Sequence, residues 1–484
     1  MLLQSRYAAI ARAWLLVGGA WLIGNNAQAV LLPPEGILLN RIHVQFEWTP
    51  VGGAVDYQLQ VVEDDQSADP FASATPVVDV TVDATGPRTS ITSGLQFGFD
   101  YAWRVRGIDG APFAWGPTSR FATDDLPATM PIFSVTISGA MEPGLTMFNI
   151  FIPGDLGLAV AVDALGAPVW FIEPPERIGD LRLLANGRVL YLVGGGGGGR
   201  AFEATLGGQI AWASPDDADL RLHHDVFPMP SGNYLSLAYE LQDVLVESEL
   251  QSWVGSRIVE LDRTDNQVVW EWNPFDHYST LDFDPTTMEN PGVGGANFPG
   301  AYDWTHQNAV IYDAGENSVY TSTRQLSRVT RIDYATGDIV YNMGFAMPSG
   351  ETDFGDNLFS FQHAPELQAN GNMLLFDNGN RRDHIDQTAE TGISKAVEVA
   401  FNGTPPTGAS IVWEWTVPDY APAFGDACRL PGGTTLVTSV PTGRSTRWMP
   451  GNGSLAPRAA RPAQNLSRRA DSGADHRRFG GHRR

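Results

Sequence analysis

The stretch DWTHQNAVIYDAGENSVYTSTR, from Asp303 to Arg324, contains the pattern on which the interpretation of this chain depends. Apolar and polar residues alternate on both sides of the small polar segment DAGEN, which is typical of a β-hairpin with its turn near Gly315. In such a hairpin His306 lies opposite Arg324, and side chains on one face of two paired strands come within about 5 Å. The stretch therefore predicts a histidine beside a permanent cation.

A second stretch, FQHAPELQANGNMLLFDNG from Phe361 to Gly379, has the same form with its turn near Asn370. The same counting places His363 opposite Asp377. A carboxylate at that position would orient the histidine ring. This hairpin predicts a second functional histidine.

Segments of two kinds recur between residues 132 and 443. One is an apolar strand that ends at an aromatic residue, and the other is a hairpin around a small-residue turn, such as LLANGRVL or RLPGGTTLV. All-strand repeats of this length are typical of propeller blades with four strands each. We therefore predict a six-bladed β-propeller, with an unclosed array of sandwiches as the alternative. The aromatic anchors are Trp170, Trp212, Trp270, Tyr341 and Trp413.

Residues 30–123 alternate apolar and polar residues in short runs between Pro and Gly turns, which predicts an antiparallel β-sandwich. The strand YAWRVRGI from Tyr101 to Ile108 and the closing segment from Trp115 to Phe121 resemble a fibronectin type III domain. Residues 124–131 read as a linker to the propeller. The whole chain is thus predicted to be all-β.

The two ends differ from the body of the chain. Residues 1–29 have the basic start, apolar centre and Ala27-Gln28-Ala29 site of a signal peptide, which predicts export to the periplasm or secretion. No later run is long and apolar enough to span a membrane. Residues 444–484 are rich in Arg, Pro, Ala and Gly without alternation, which predicts a basic disordered tail in place of the last strands of the final blade.

The chain has 55 acidic and 31 basic residues, a formal net charge of -24. A surface this acidic repels phosphate backbones and argues against nucleic acid as a partner. The only cysteine, Cys428, cannot form an internal disulfide.

Four of the nine histidines lie at the start of predicted strands: His223, His224, His306 and His363. Equivalent positions in successive blades converge on the axis of a propeller, so these rings are expected to share one pocket. They could cap hairpins, or three of them could bind a metal ion with a water molecule. Arg324 opposes a cation and, with histidines that can also donate, suits an anion with several oxygens, such as a sulfuryl or phosphoryl group.

The motif order is specific. HHD with PxPxGNYL, then DWxHxN with TSxR, then QH with NGNxLLFDNG resembles the bacterial arylsulfate sulfotransferases over roughly residues 140–440. The resemblance implies transfer of a sulfuryl group from a phenolic sulfate ester to a phenol in the central channel, with no nucleotide sulfate donor and no cofactor.

The resemblance also implies roles for individual residues. His363 would be the nucleophile, His306 and Arg324 would hold the sulfate oxygens, and Asn308 would add a donor. The HHD pair would supply a further histidine. Because neighbours on a strand face opposite ways, only one of His223 and His224 can point inward, and His224 is the one we favour. The alternatives are a non-catalytic binding propeller at the cell surface and a metal-dependent hydrolase or lyase.

Overall fold

Short alternating segments form strands along the whole chain, as their period of two predicts. The computed structural model describes residues 31–459 except 84, 139–141, 153, 155, 195–197, 285–297, 381–391, 441–446 and 452–453. Over these residues the fold is all-β, with 33 strands and one short helix, α1 (Pro274–His277). No helix in this part of the chain has the length and apolarity that a membrane crossing needs. The predicted signal peptide, residues 1–29, lies outside the described residues.

The first eight strands form two sheets around one core. Their bounds are β1 (Ile37–Leu39), β2 (Val44–Glu47), β3 (Asp56–Glu63), β4 (Val78–Asp83), β5 (Arg88–Ile91), β6 (Asp100–Asp109), β7 (Ala111–Pro112) and β8 (Ser119–Thr123). One sheet has the order β1-β8-β6-β3-β4 with β7 paired to β6, and the other pairs β2 with β5. The buried aromatic rings of Phe46, Trp103 and Phe121 are part of their shared core.

Six further sheets follow. Sheet 1 contains β10 (Thr146–Ile152), β11 (Leu156–Val162) and β12 (Pro168–Ile172). Sheet 2 contains β13 (Ile178–Leu183), β14 (Val189–Val193), β15 (Arg200–Ala204) and β16 (Ile210–Ala213). Sheet 3 contains β17 (Leu222–Pro228), β18 (Tyr234–Val246), β19 (Glu249–Leu261), β20 (Val268–Trp272) and β21 (Tyr302–Asp303).

Sheets 4 to 6 complete the set. Sheet 4 contains β22 (Gln307–Asp313), β23 (Ser318–Thr323), β24 (Arg328–Asp333) and β25 (Ile339–Gly344). Sheet 5 contains β26 (His363–Leu367), β27 (Met373–Asp377), β28 (Lys395–Asn402) and β29 (Gly408–Thr416). Sheet 6 contains β30 (Asp426–Arg429), β31 (Thr435–Ser439), β32 (Arg447–Gly451), β33 (Ser454–Ala459) and an earlier strand, β9 (Phe133–Ser138).

The first strand of each sheet packs against the first strand of the next, in the order β10, β13, β17, β22, β26 and β30. Residues from all six sheets line one cavity between these strands. The arrangement is propeller-like, because each sheet presents its first strand to a common centre.

The aromatic residues that mark the sequence repeat connect neighbouring sheets at their outer edges. At three of the five positions an indole N–H on the last strand of one sheet donates to the final turn of the next sheet. The bonds are Trp170 to the Leu206 carbonyl (2.7 Å), Trp212 to Asn266 Oδ1 (2.8 Å) and Trp270 to the Tyr334 carbonyl (2.9 Å). The repeat visible in the sequence is therefore a repeated inter-sheet contact.

Sheet 6 joins the two ends of the six-sheet region. Strand β33 pairs antiparallel with β9, which precedes sheet 1, from Ser454 opposite Ser138 to Ala459 opposite Phe133. Strands β32 and β33 fall in the tail that the sequence predicts to lack regular structure, so the structure differs from that prediction at residues 447–451 and 454–459. Local composition misses these strands because their pairing partners include β9, more than 300 residues away in the sequence.

Candidate active site

The cavity between the six inner strands has a volume of about 180 Å³ and is lined by both aromatic and charged side chains. His224, Asn308 and His363 lie on its wall, whereas His223, His306 and Arg324 are not among its lining residues. Four carboxylates line the same cavity: Asp180, Asp225, Glu366 and Asp426.

The strand pairing is irregular at the start of four inner strands, and this irregularity affects where the side chains at these positions point. The register shifts between Ile178 and Asp180 in β13 and between His223 and Val226 in β17. It shifts again between Gln307 and Ala309 in β22 and between His363 and Glu366 in β26. A β-bulge re-aims the side chains beside it, so strict alternation of faces fails at these positions.

His363 is the first residue of β26, and its side chain is almost completely buried, with 7% exposed. Its Nδ1 atom lies 2.6 Å from Oδ1 of Asn378. Burial, followed by the positive charge of Arg324, lowers the pKa of His363 to about 3. The ring is therefore neutral at neutral pH.

The predicted pairing of His363 with Asp377 is wrong by one residue, because His363 lies opposite Phe376. The hairpin contains the bulge at Ala364 and Pro365, where Ala364 has the positive φ of 46°. The Asp377 carboxylate instead accepts the backbone N–H groups of Ser360 (2.9 Å) and Gly379 (3.0 Å). Asp377 thus holds the chain around the site, and Asn378 is the residue that contacts the ring.

His224 lines the cavity, whereas the ring of His223 stacks on Tyr239 with centroids 3.9 Å apart. The two histidines still touch, with their Nδ1 atoms 2.7 Å apart, because the bulge and the φ of 61° at His224 bring both rings to one side. Burial and then the charge of His306 lower the pKa of His223 to about 3. Burial first, then His306, His223 and other nearby positive groups, also lower the pKa of His224 well below its usual value.

His306 lies just before β22, and its ring centroid is 4.9 Å from that of His224. Its Nδ1 atom is 2.5 Å from Oδ2 of Asp303. Burial acts to raise the pKa of Asp303, but the charge and hydrogen bond of His306 outweigh it, so the pKa is lowered and the carboxylate stays ionised. Asp303 is not among the site residues that the sequence predicts, although its position three residues before the histidine in DWTH is a signal for it.

The first predicted hairpin has the predicted register. Gln307 pairs with Thr323, and the backbone N–H of Arg324 donates to the His306 carbonyl at 3.3 Å. The Arg324 guanidinium donates to Gln325 Oε1 and to the Pro422 carbonyl, each at 3.2 Å, and lies over the ring of Phe361. These contacts hold the cation in place near the histidines, since its charge lowers the pKa of both His363 and His224.

Asn308 lies in the bulge of β22 and is almost fully buried, with 7% exposed. Its Nδ2 atom donates to the Gln362 carbonyl at 2.8 Å, while its Oδ1 atom has no hydrogen-bond partner among the described residues. The structure thus brings Asn308 to the cavity wall but uses its amide donor to join β22 to the segment before β26.

The described residues contain no group of three His, Cys, Asp or Glu side chains arranged to hold a metal ion. The histidines instead have separate partners: an amide for His363, a carboxylate for His306 and one another for the His223 and His224 pair. Such a set offers a neutral ring on the cavity wall, with a ring paired with an anion and a fixed guanidinium close to it. That combination suits transfer of an anionic group.

Comparisons with solved structures give distant likenesses. A protein of unknown function from Bacteroides caccae has 12% identity and a TM-score of 0.37, over 66% of this chain and 90% of that one. The Cps50 (Swd1) β-propeller domain of Myceliophteria thermophila has 14% identity and a TM-score of 0.33, over 64% and 88%. A luciferin-regenerating enzyme has 12% identity and a TM-score of 0.34, over 64% and 86%.

No curated protein matches the chain. The family model described as Arylsulfotransferase (ASST) matches residues 135–453, which include all six sheets' inner strands and every histidine of the cavity. Because this match covers more than half of the chain, the protein belongs to the arylsulfotransferase family.

Proposed function

We propose that the protein transfers a sulfuryl group from an aryl sulfate ester to a phenol through a sulfohistidine at His363, without a nucleotide donor. The observation that carries the proposal is a buried, neutral imidazole at the wall of the cavity, with Arg324 close enough to lower its pKa. A neutral imidazole has the lone pair that a nucleophile needs. The guanidinium favours an anionic substrate beside it.

In the first step, a ring nitrogen of His363 attacks the sulfur of the ester. The bond between sulfur and the aryl oxygen breaks, and the oxygen leaves with the electron pair. His306 supplies the proton that makes this leaving group a phenol, because the Asp303 carboxylate at its Nδ1 stabilises the protonated ring.

In the second step, the acceptor phenol gives its proton back to His306 as its oxygen attacks the same sulfur. The bond between nitrogen and sulfur breaks, and its electron pair returns to His363. The cycle restores both histidines and yields a new aryl sulfate, so no further reactant is required.

Arg324 and His224 stabilise the charge on the sulfuryl oxygens during both steps. His223 donates through Nδ1 to Nδ1 of His224 in this proposal, which leaves a donor on the second nitrogen of His224. His223 supports the site from outside the cavity, where it stacks on Tyr239.

We also propose the finer features of the whole chain. The six sheets form a closed six-bladed propeller, supported by the shared cavity and the pairing of β33 with β9. Residues 30–123 form a fibronectin type III domain, supported by the two sheets around the Trp103 core. The pattern of residues 1–29 supports export to the periplasm or beyond.

The test is nitrophenolate release from p-nitrophenyl sulfate by the purified protein with a chelator present, with and without a phenol acceptor. We expect acceptor-dependent release, and a His363→Ala variant that is inactive. A quenched reaction should contain a peptide around His363 with the added mass of one sulfuryl group.

The control variant is His277→Ala, which removes an exposed histidine that stacks on Trp272 outside the cavity. It should keep full activity. Release that occurs only when the chelator is omitted would favour a metal-dependent reaction, and no release by a folded protein under either condition would favour a binding propeller.

A further inference from the structure

We propose that Asn378 is a positioning residue that determines which nitrogen of His363 carries the hydrogen, while giving the ring an uncharged partner. This inference rests on the proposed function only for its consequence in catalysis. The hydrogen-bond geometry stands independently of it.

The orientation of the Asn378 amide follows from its other contacts. Its Nδ2 atom donates to the carbonyl oxygens of Ala421 (2.7 Å) and Phe424 (2.8 Å), which use both of its hydrogens. If the amide were flipped, its oxygen would face two carbonyl oxygens, which cannot donate. Oδ1 therefore faces His363.

An amide oxygen can only accept a hydrogen bond. The His363 Nδ1 atom, 2.6 Å from Asn378 Oδ1, must then carry the hydrogen. In a neutral ring the lone pair is consequently on Nε2. The amide thus selects Nε2 as the atom that attacks sulfur.

The surrounding chain fixes the amide. Asn378 is fully buried, and its backbone carbonyl accepts a hydrogen bond from the hydroxyl of Ser394 at 2.8 Å. The same hydroxyl oxygen accepts the backbone N–H of Ala421 at 3.0 Å. Ser394 therefore holds both Asn378 and one of the two carbonyls that orient it.

It also matters that Asn378, the residue in contact with His363 Nδ1, carries no charge. His224 on β17, His306 before β22 and Arg324 after β23 place positive or ionisable groups near His363. Glu366 on its own strand, Asp225 on β17 and Asp426 on β30 line the same cavity. A carboxylate in direct contact with Nδ1, as Asp303 contacts His306, would favour the imidazolium, which has no lone pair for attack.

The hydrogen bond that His363 donates to Asn378 acts to raise the pKa of His363, but burial and Arg324 dominate and keep it at about 3. With an amide as partner, the nucleophile stays neutral through the acidic range. Its reactivity should then not limit the rate between about pH 5 and pH 8.

The first measurement uses the wild-type protein and needs no activity. Nitrogen-15 spectra of histidine-labelled protein, with the His363 signals identified by their loss in His363→Gln, report which ring nitrogen is protonated. We expect Nδ1 to be protonated and Nε2 to be bare from pH 8 to pH 5. A hydrogen on Nε2, or titration of the ring in this range, would overturn the inference.

The second measurement compares Asn378→Asp with Asn378→Ala in single-turnover nitrophenolate release. Asn378→Asp should show a new acidic limb, with the rate falling about tenfold per pH unit below the raised pKa of His363 and recovering at high pH. Asn378→Ala should lower the rate by a similar factor at every pH. Identical pH profiles for the two variants would overturn the inference, and if neither folds, the wild-type spectra decide it.

The two measurements separate this inference from the proposed function. Wild-type protein that shows the expected tautomer but forms no sulfated peptide would leave the role of Asn378 intact and refute the sulfohistidine. A sulfated peptide from a protein with the opposite tautomer would support the sulfohistidine and refute the role of Asn378.

Discussion

Two histidines of the candidate active site have partners of different charge, and this difference separates their chemistry. His363 contacts the amide of Asn378, which adds no charge, and His306 contacts the ionised carboxylate of Asp303. Since a carboxylate stabilises a protonated ring and an amide does so far less, the two rings suit opposite roles. One can attack as a neutral base while the other donates a proton.

The role of Asp303 can be tested with substrates whose leaving groups differ. Asp303→Asn should weaken proton donation by His306, which matters most for a basic leaving group. We expect a loss on the order of 100-fold with phenyl sulfate and less than about tenfold with p-nitrophenyl sulfate. An equal loss with both esters would mean that Asp303 only maintains the structure.

At the scale of the element, the bulges in the inner strands bring the site together. In a regular strand, His223 and His224 would face opposite sides, and Ala364 and Pro365 would not both fit opposite one residue. The bulges permit these arrangements, and the positive φ angles of His224 and Ala364 are part of them. Bulges beside functional sites are common because they re-aim one side chain without changing the sheet.

Strand β33 provides the element-level prediction. Deleting residues 452–484 removes the strand that pairs with β9, so sheet 6 loses its connection to the start of the six-sheet region. We expect the melting temperature to fall by about 5 °C or more. Deleting only residues 460–484 keeps β33 and should leave the melting temperature unchanged. Equal melting temperatures for the two truncated chains would show that the pairing contributes nothing.

These elements also show what the sequence could and could not predict. The all-β fold and the hairpin that pairs His306 with Arg324 follow from alternation and turn residues, which act locally. The contact of Asn378 with His363 does not follow from such local signals. An inserted bulge residue shifts the register there, and no local pattern marks the bulge. The strands of the tail were missed for a related reason, since β33 depends on a partner far away in the sequence.

At the scale of the whole molecule, buried histidines make stability depend on pH. His223, His224 and His363 have lowered pKa values in the folded protein, mainly through burial. Their stabilising contribution is complete above the unfolded pKa near 6.5 and is lost as the pH falls towards the folded value, about 3 for His223 and His363. Burial has the opposite effect on Asp225 and raises its pKa to about 6. As the pH falls, this carboxyl therefore binds a proton at a higher pH in the folded state than in the unfolded state.

Between pH 6 and pH 4 the unfolded chain therefore binds about three protons at these histidines, and the folded chain about one at Asp225. As the pH falls, protonation of these four groups should lower the free energy of unfolding by about 3 kcal/mol for each pH unit. Each proton that the unfolded chain binds in excess contributes about 1.4 kcal/mol per unit. Urea unfolding at a series of pH values measures it. His363→Gln should reduce the slope by about one proton, and an unchanged slope would contradict the assignment.

The indole bonds between the sheets have a further consequence for observing the molecule. Trp170 and Trp212 are nearly buried, and each is held by an acceptor on the neighbouring sheet. Separating two sheets breaks such a bond and exposes the indole to water, which shifts its fluorescence emission to longer wavelength. The chain thus contains intrinsic optical probes at successive junctions, and the difference in emission between the wild-type protein and a Trp170→Phe or Trp212→Phe variant during unfolding would report which junction opens first.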